Sequence, residues 1–209
     1  TAAFRQSGVI RVEDEEELCD VTTALLSMPL PRGNGIGILT MGGGFGVVTA
    51  EACEKEGLTI ASLEPRTIEA MNALLPPRWS HANPVDLVGI KTMGDNEIVP
   101  NCLRLLIEDK NIDVVVSLLP PVNIFPGAGS FTPEQTERMQ KEYIKQMNYL
   151  NGLVKQSGKP LILLRHFNQP AGGNNGLSAQ LEESIPEYSN PRRVARVLGL
   201  LAKYRQYLE

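Results

Sequence analysis

The sequence predicts an α/β domain in three layers, with a mainly parallel sheet of about five strands between two sets of helices. Three observations lead there. Apolar runs alternate along the chain with segments of helical periodicity. The runs are continuous rather than alternating, as in Val114-Val115-Val116-Ser117-Leu118-Leu119, which suits strands covered on both faces. The run Ile36-Gly37-Ile38-Leu39-Thr40 then stops at Met41 and three glycines, Gly42-Gly43-Gly44, before a helix-compatible stretch.

The elements follow in order. Ala2 to Ser7 reads as a short helix, and Val9 to Val12 as a small strand after Gly8. Asp14-Glu15-Glu16-Glu17 opens a helix with acidic residues in its first turn, where the dipole favours them, and Pro29 and Pro31 end it. Strand Ile36 to Thr40 leads through the glycines into a helix from about Phe45 to Glu56, closed by Gly57. Leu58 to Ala61 reads as a short strand, and Pro65 starts a helix to about Leu75. Arg78 to Met93 is irregular. Asp95 caps a helix to about Asp109, and Asp113 to Leu119 is a β-branched strand. After a loop from Pro120 to Thr132 come a long helix, Pro133 to Gln156, and a strand, Pro160 to Leu164. A polar glycine loop (Asn168 to Gly176), a short strand near Ile185 and a helix from Pro191 to Leu208 complete the chain. The pattern fits a flavodoxin-like three-layer sandwich with a mainly parallel five-stranded sheet over residues 34–209, preceded by a lead-in or linker at 1–33.

Composition narrows the function classes. Hydrophobic residues make up 42% and charged residues 21%, the mix of a folded domain rather than a disordered chain. The net charge is −4 and no basic stripe is present, which argues against nucleic acid. The apolar runs are far too short to span a bilayer. No secretory signal is visible. The three cysteines, Cys19, Cys53 and Cys102, are scattered and lack a CxxC pairing, so they read as reduced thiols of a cytoplasmic protein. The chain opens at Thr1, apparently inside a helix, which suggests a piece of something longer.

The glycine segment carries the clearest chemistry. A strand, a tight glycine turn and a helix start leave backbone N–H groups and the positive end of the dipole facing one spot. Glycine lets a ligand approach closely and permits φ > 0. Gly42, Gly43, Gly44, Phe45 and Gly46 are therefore the candidate phosphate-binding residues. The spacing is neither the dinucleotide GxGxxG register nor a Walker loop, because Val47, Val48 and Thr49 stand where those motifs need other residues. The competing, weaker reading is that three adjacent glycines merely allow close strand–helix packing.

Asn83-Pro84-Val85-Asp86-Leu87 is an extended or turn segment, since proline pushes Asn83 out of the helical region. Asn83 and Asp86 could brace a loop through backbone N–H groups, and a structural lock is the simpler role. Leu119 to Gly129 is a proline- and glycine-rich loop at the same sheet edge, where Asn123 and Gly127 are candidate loop supports. His81, His166, Arg165 and Arg32 are weaker candidates for touching an anion. No metal-ligand spacing links the two histidines to cysteine or carboxylate, and no GxSxG elbow occurs. The residues alone support an anion-binding domain without a complete catalytic site.

Four segments together resemble NDP-forming acyl-CoA synthetases. They are Thr1 to Val12, Pro29-Leu30-Pro31-Arg32-Gly33-Asn34, the strand with Thr40 to Val47, and Asn83 to Leu87. The family includes ADP-forming acetyl-CoA synthetases and is related to succinyl-CoA synthetase. The chain resembles its flavodoxin-like ligase domain, equivalent to the C-terminal domain of the succinyl-CoA synthetase β chain. The resemblance implies that acyl-CoA and phosphate give an acyl phosphate, which phosphorylates a histidine, and that the phosphate passes to ADP. It implies that the helix after Gly42-Gly43-Gly44 is one of two whose N-termini hold the phosphohistidine. That histidine would lie upstream of Thr1, in a Ser-His-Thr-Gly type segment, and neither His81 nor His166 matches it. CoA, ADP or ATP, and Mg are implied for the full-length enzyme and none for this domain. CoA-binding and ATP-grasp domains or subunits are the implied partners, in an enzyme expected to be oligomeric. Two other readings stay open: a regulatory or interaction module that kept the fold without catalysis, and a free-standing flavin- or nucleotide-binding domain.

Overall fold

A computed structural model describes residues 2–87, 97–118, 132–164 and 185–209. In chain order the elements are α1 (Ala2–Gln6), α2 (Glu15–Ser27), β1 (Gly35–Thr40), α3 (Gly43–Lys55), β2 (Thr59–Ile60), α4 (Pro65–Leu74), β3 (Val85–Asp86), α5 (Ile98–Glu108), β4 (Val114–Ser117), α6 (Pro133–Ser157), β5 (Leu161–Leu164), β6 (Glu187–Tyr188) and α7 (Pro191–Leu208). Local chemistry sets several boundaries. Asp14 caps α2 by accepting from the Glu17 N–H at 2.8 Å. Thr132 and Gln135 form a reciprocal capping box on α6. Gly158 ends α6 in the left-handed conformation, φ 65°. Asn190 caps α7, with Pro191 at its first position.

All strand pairings are parallel. The order is β2–β1–β4–β5–β6, with β3 also on β1. β2 pairs with the start of β1 (Gly35 with Thr59) and β3 with its end (Leu39 with Val85, Thr40 with Asp86). The two short strands therefore share one edge, and the sheet has five positions in the doubly wound flavodoxin order. Side chains alternate between the faces. Leu39, Val115, Leu161 and Leu163 join the core under α4, α5 and α6. Ile36, Ile38, Val116, Ile162 and Leu164 join the core under α2, α3 and α7. Ile36, Ile38 and Leu39 are fully buried, each contributing about 1.5–3 kcal/mol by leaving water.

The segment before β1 packs onto the second core through Val21, Ala24 and Met28 of α2. Arg193 of α7 grips Asp20 of α2 with two hydrogen bonds, 2.7 Å from Nε and 2.6 Å from Nη2, and the Tyr188 hydroxyl donates to the Asp20 carbonyl.

Four elements differ from the sequence-based expectation. Val9 to Val12 is not a strand. Ile10 and Val12 face the second core while Val9 and Arg11 are exposed, so the segment is extended and amphipathic but pairs with no strand among those described. The last strand lies at Glu187–Tyr188 rather than Ile185, because Leu163 and Leu164 fix its register. β3 arises inside the stretch read as irregular. The helix after β1 starts at Gly43, two residues before Phe45. Asp95, the Pro120–Gly129 loop and the Asn168–Gly176 loop lie outside the described residues. Among the described residues no helix is long and apolar enough to cross a membrane.

Candidate functional site

The β1–α3 connection is only Met41-Gly42. Gly42 is extended, φ −160° and ψ 118°, and takes the N-cap position without a side chain. Its carbonyl accepts from the Phe45 N–H at 3.0 Å and the Gly46 N–H at 3.1 Å. Those two donors are thereby taken inside the helix. The N–H groups of Gly43 and Gly44 belong to the first turn, where no intrahelical acceptor exists. Among the described residues nothing accepts from either. They stand at the positive end of the α3 dipole, suited to an anion.

Unusual dihedrals do not explain these glycines, and space explains them only at Gly43 and Gly46. None of Gly42, Gly43, Gly44 and Gly46 has positive φ, so the conformational part of the sequence-based reading is corrected. A Cβ on Gly46 would come within 3.1 Å of Thr40 Cγ2 and 3.2 Å of Pro84 Cβ. Any larger residue would have to push Thr40 or Pro84 back by a few tenths of an ångström, so glycine suits this close approach of α3 to β1 and the Asn83-Pro84 segment. A Cβ on Gly43 would lie 3.2 Å from Asp86 Oδ2. Gly44 meets nothing within 4 Å among the described residues, so packing does not demand glycine there. Close packing and an open approach therefore coexist in one turn, at Gly46 and Gly44 respectively. Phe45 is half-buried against the second core, Met41 just before the turn is exposed, and Val47 and Val48 are exposed one turn into α3.

Asn83 is a lock. Its side-chain oxygen accepts from the Ile38 N–H at 2.9 Å, and its amide donates to the Ile36 carbonyl at 2.7 Å and the Ala61 carbonyl at 2.8 Å. One side chain thus continues the ladder along β1 between the place where β2 leaves and the place where β3 arrives. The Asn83–Pro84 peptide bond is cis. The lock delivers Pro84 to the underside of α3 and Asp86 to the edge of its first turn.

The other candidates separate from this place. His81 is exposed, near the Trp79 ring at 4.7 Å, with Nε2 2.9 Å from the Pro77 carbonyl. Arg32 lies beside Gly158, at the opposite end of the strands, so it is not an anion partner of the glycines. Asn123, Gly127, Arg165 and His166 lie outside the described residues. Burial pushes the thiols of Cys53 and Cys102 up to about 12, which leaves both protonated at neutral pH. Among the described residues no cluster of three or more His, Cys, Asp or Glu could hold a metal. A cleft of about 510 Å³ between α2, α3 and α7 is lined by Arg192, Arg193 and Arg196, the last two held in ion pairs, Arg193 by Asp20 and Glu16 and Arg196 by Glu17, Glu13 and Glu56.

Sequence reading missed Thr40 and the packing role of Pro84. Thr40 Oγ1 lies 3.1 Å from both the N and the O of Gly42. A β-branched hydroxyl at the end of a strand, two residues before the helix cap, was the available signal.

The parallel sheet in doubly wound order, with β1 leading directly into the start of α3, defines a doubly wound α/β domain, a fold in which helix N-termini at the C-terminal edge of the strands are suited to anions. The Ligase-CoA domain profile matches residues 36–129, which includes the glycines and the Asn83 lock. Acetate–CoA ligase [ADP-forming] II subunit alpha of Pyrococcus furiosus is 32% identical over 194 residues, 93% of this chain and 38% of the relative. Acetate–CoA ligase [ADP-forming] I of Archaeoglobus fulgidus is 29% identical over 97% of this chain and 25% of its own length. The solved structure of PH0766 from Pyrococcus horikoshii OT3 superposes with a TM-score of 0.73 at 29% identity, covering 99% of this chain and 44% of that one. The apo form of Ca. Korarchaeum cryptofilum dinucleotide forming acetyl-coenzyme A synthetase 1 shares the fold, with a TM-score of 0.71 at 23% identity over 99% and 42% of the two chains. Over nearly its whole length the chain is similar to portions of these ADP-forming acetate–CoA ligases, and residues 36–129 match the Ligase-CoA domain. It spans well under half the length of these relatives.

Proposed function

We propose that this chain is the ligase part of an NDP-forming acyl-CoA synthetase, and that the N-terminus of α3 holds a phosphoryl group carried on a histidine of another part of the enzyme. The observation that carries the reading is the pair of N–H groups at Gly43 and Gly44, which nothing among the described residues accepts, with no described atom within 4 Å of a Cβ on Gly44. Backbone donors and the dipole supply positive potential without a lysine. In this reading residues 34–209 form the ligase domain and 1–33 its lead-in. CoA-binding and ATP-grasp parts complete an oligomeric enzyme. CoA, ADP or ATP, and Mg are bound by those parts, and acyl-CoA, ADP and phosphate are interconverted with carboxylate, ATP and CoA.

The protein's role in the chemical step would be electrostatic. A phosphoryl group in transfer spreads negative charge over its oxygens, and fixed N–H dipoles stabilise that charge without reorganising. This chain supplies those dipoles, and the nucleophilic imidazole comes from elsewhere. The test assembles the chain with the CoA-binding and ATP-grasp parts and follows transfer of label from ATP to histidine. Labelling is expected with the natural sequence and strongly reduced labelling with Gly43→Val. Equal labelling of the two would refute the site. A module that keeps the fold without catalysis would show no labelling with either.

A further inference from the structure

Thr40 stands out among the groups around α3 because its side chain is buried and polar and has both of its chemical features in use. It is 1% exposed. Its hydroxyl oxygen lies 3.1 Å from the Gly42 N–H, which it accepts, and 3.1 Å from the Gly42 carbonyl oxygen, to which it can donate. Its methyl carbon lies 3.1 Å from where a Cβ on Gly46 would sit. Its backbone completes the ladder to β3, with Thr40 opposite Asp86 and the Thr40 carbonyl accepting from the Leu87 N–H at 2.7 Å.

We infer that Thr40 is the positioning residue of the phosphoryl cradle: its hydroxyl fixes Gly42 in the extended cap conformation, and this aims the Gly43 and Gly44 N–H groups out of the helix end toward one point. The inference rests on the cradle reading given above and deepens it. Gly42 has no side chain, and no side-chain hydrogen bond caps α3. A helix that starts on consecutive glycines is free to unwind by a turn, since glycine costs about 1 kcal/mol per helical position relative to alanine. In this two-residue connection, the Thr40 hydroxyl is the side-chain group that ties the Gly42 backbone to the end of β1. Its methyl meanwhile seats Gly46, so α3 is registered against the strand one turn further on. Valine would keep the second contact and lose the first. Serine would keep the hydroxyl and lose the methyl.

The experiment uses the full chain, inorganic phosphate as the probe and backbone amide NMR as the readout, with Thr40→Val and Thr40→Ser beside the natural sequence. The natural chain is expected to show saturable shifts at the Gly43 and Gly44 amides. Thr40→Ser should bind within about two-fold of it, and Thr40→Val about ten-fold more weakly, with core amide shifts unchanged. Phosphate binding by Thr40→Val equal to that of the natural chain overturns the inference. Hydrogen exchange at the Gly42 amide of the natural chain gives an answer even if Thr40→Val does not fold. Protection of that amide supports the hold by Thr40, and free exchange beside a protected β1 overturns it. Absence of any phosphate shift in the natural chain refutes the cradle itself, while Gly42 exchange still decides whether Thr40 fixes the turn.

Discussion

The two ends of the sheet treat their backbone donors in opposite ways. At the N-terminal end of the strands, acidic side chains satisfy the loop amides. Asp113 accepts from the Gly35 N–H at 2.9 Å, and Asp109 from the Glu64 N–H at 2.8 Å and the Asn111 N–H at 2.9 Å. Glu64 accepts from the Lys110 N–H at 2.9 Å, and the Lys159 ammonium donates to the Asp109 carbonyl. At the C-terminal end of β1, nothing among the described residues accepts from the Gly43 and Gly44 N–H groups. Donors that are matched internally build a scaffold, whereas donors that the fold leaves open form a place for a ligand.

That contrast sorts substitutions by what they damage. The largest expected loss of stability is from Asn83→Ala, which strands the Ile38 N–H and the Ala61 carbonyl and removes one of the two donors to the Ile36 carbonyl, the Ala61 N–H being the other. A cost of about 3 kcal/mol is expected, read as a lower urea midpoint. Asp109→Ala at the scaffold end removes a fully buried acceptor of two backbone amides. It should cost about 2 kcal/mol by the same measurement while leaving phosphate shifts at Gly43 and Gly44 in place.

The thiols give a smaller, pH-dependent effect. Burial raises the Cys53 and Cys102 thiols from 9.0 to about 12 in the folded protein. A raised folded-state value means that this stabilisation is complete below pH 9 and is lost as pH rises from 9 toward 12. Replacing both with alanine should flatten that alkaline decline in urea midpoint. Cys19, which is exposed, should react with a thiol reagent in the folded chain, and the other two only after denaturation. The smallest effect is expected from Gly44→Ala, which meets no atom within 4 Å and improves helix propensity. A gain of about 0.5 kcal/mol should appear as a slightly higher thermal midpoint.

The long elements of the fold were legible because their causes are local. The β1, β4 and β5 runs are continuous and apolar, and α2, α6 and α7 carry caps and breakers in the sequence. The two-residue strands β3 and β6 were not placed, since their backbone is ordered by pairing with Thr40 and Leu164, residues distant in the chain. Val9 to Val12 has the alternation of a strand but pairs with no strand among the described residues. At the site, the three glycines and Asn83 announced themselves. The start of α3 at Gly43 did not, because local propensity disfavours glycine in a helix and the packing of Gly46 on Thr40 and Pro84 overrides it. The role of Thr40 depends on that same tertiary packing.

The most direct test of the central claim compares Gly44→Asp with Gly44→Ala in the assembled enzyme, reading transfer of label from ATP to histidine. Both side chains have room, and an aspartate at a helix start favours the helix electrostatically. Stability should hold in both, labelling should persist in Gly44→Ala, and it should fall at least ten-fold in Gly44→Asp, whose carboxylate would occupy and repel the phosphoryl position. Undiminished labelling in Gly44→Asp would contradict the assignment of the α3 N-terminus as the phosphoryl cradle.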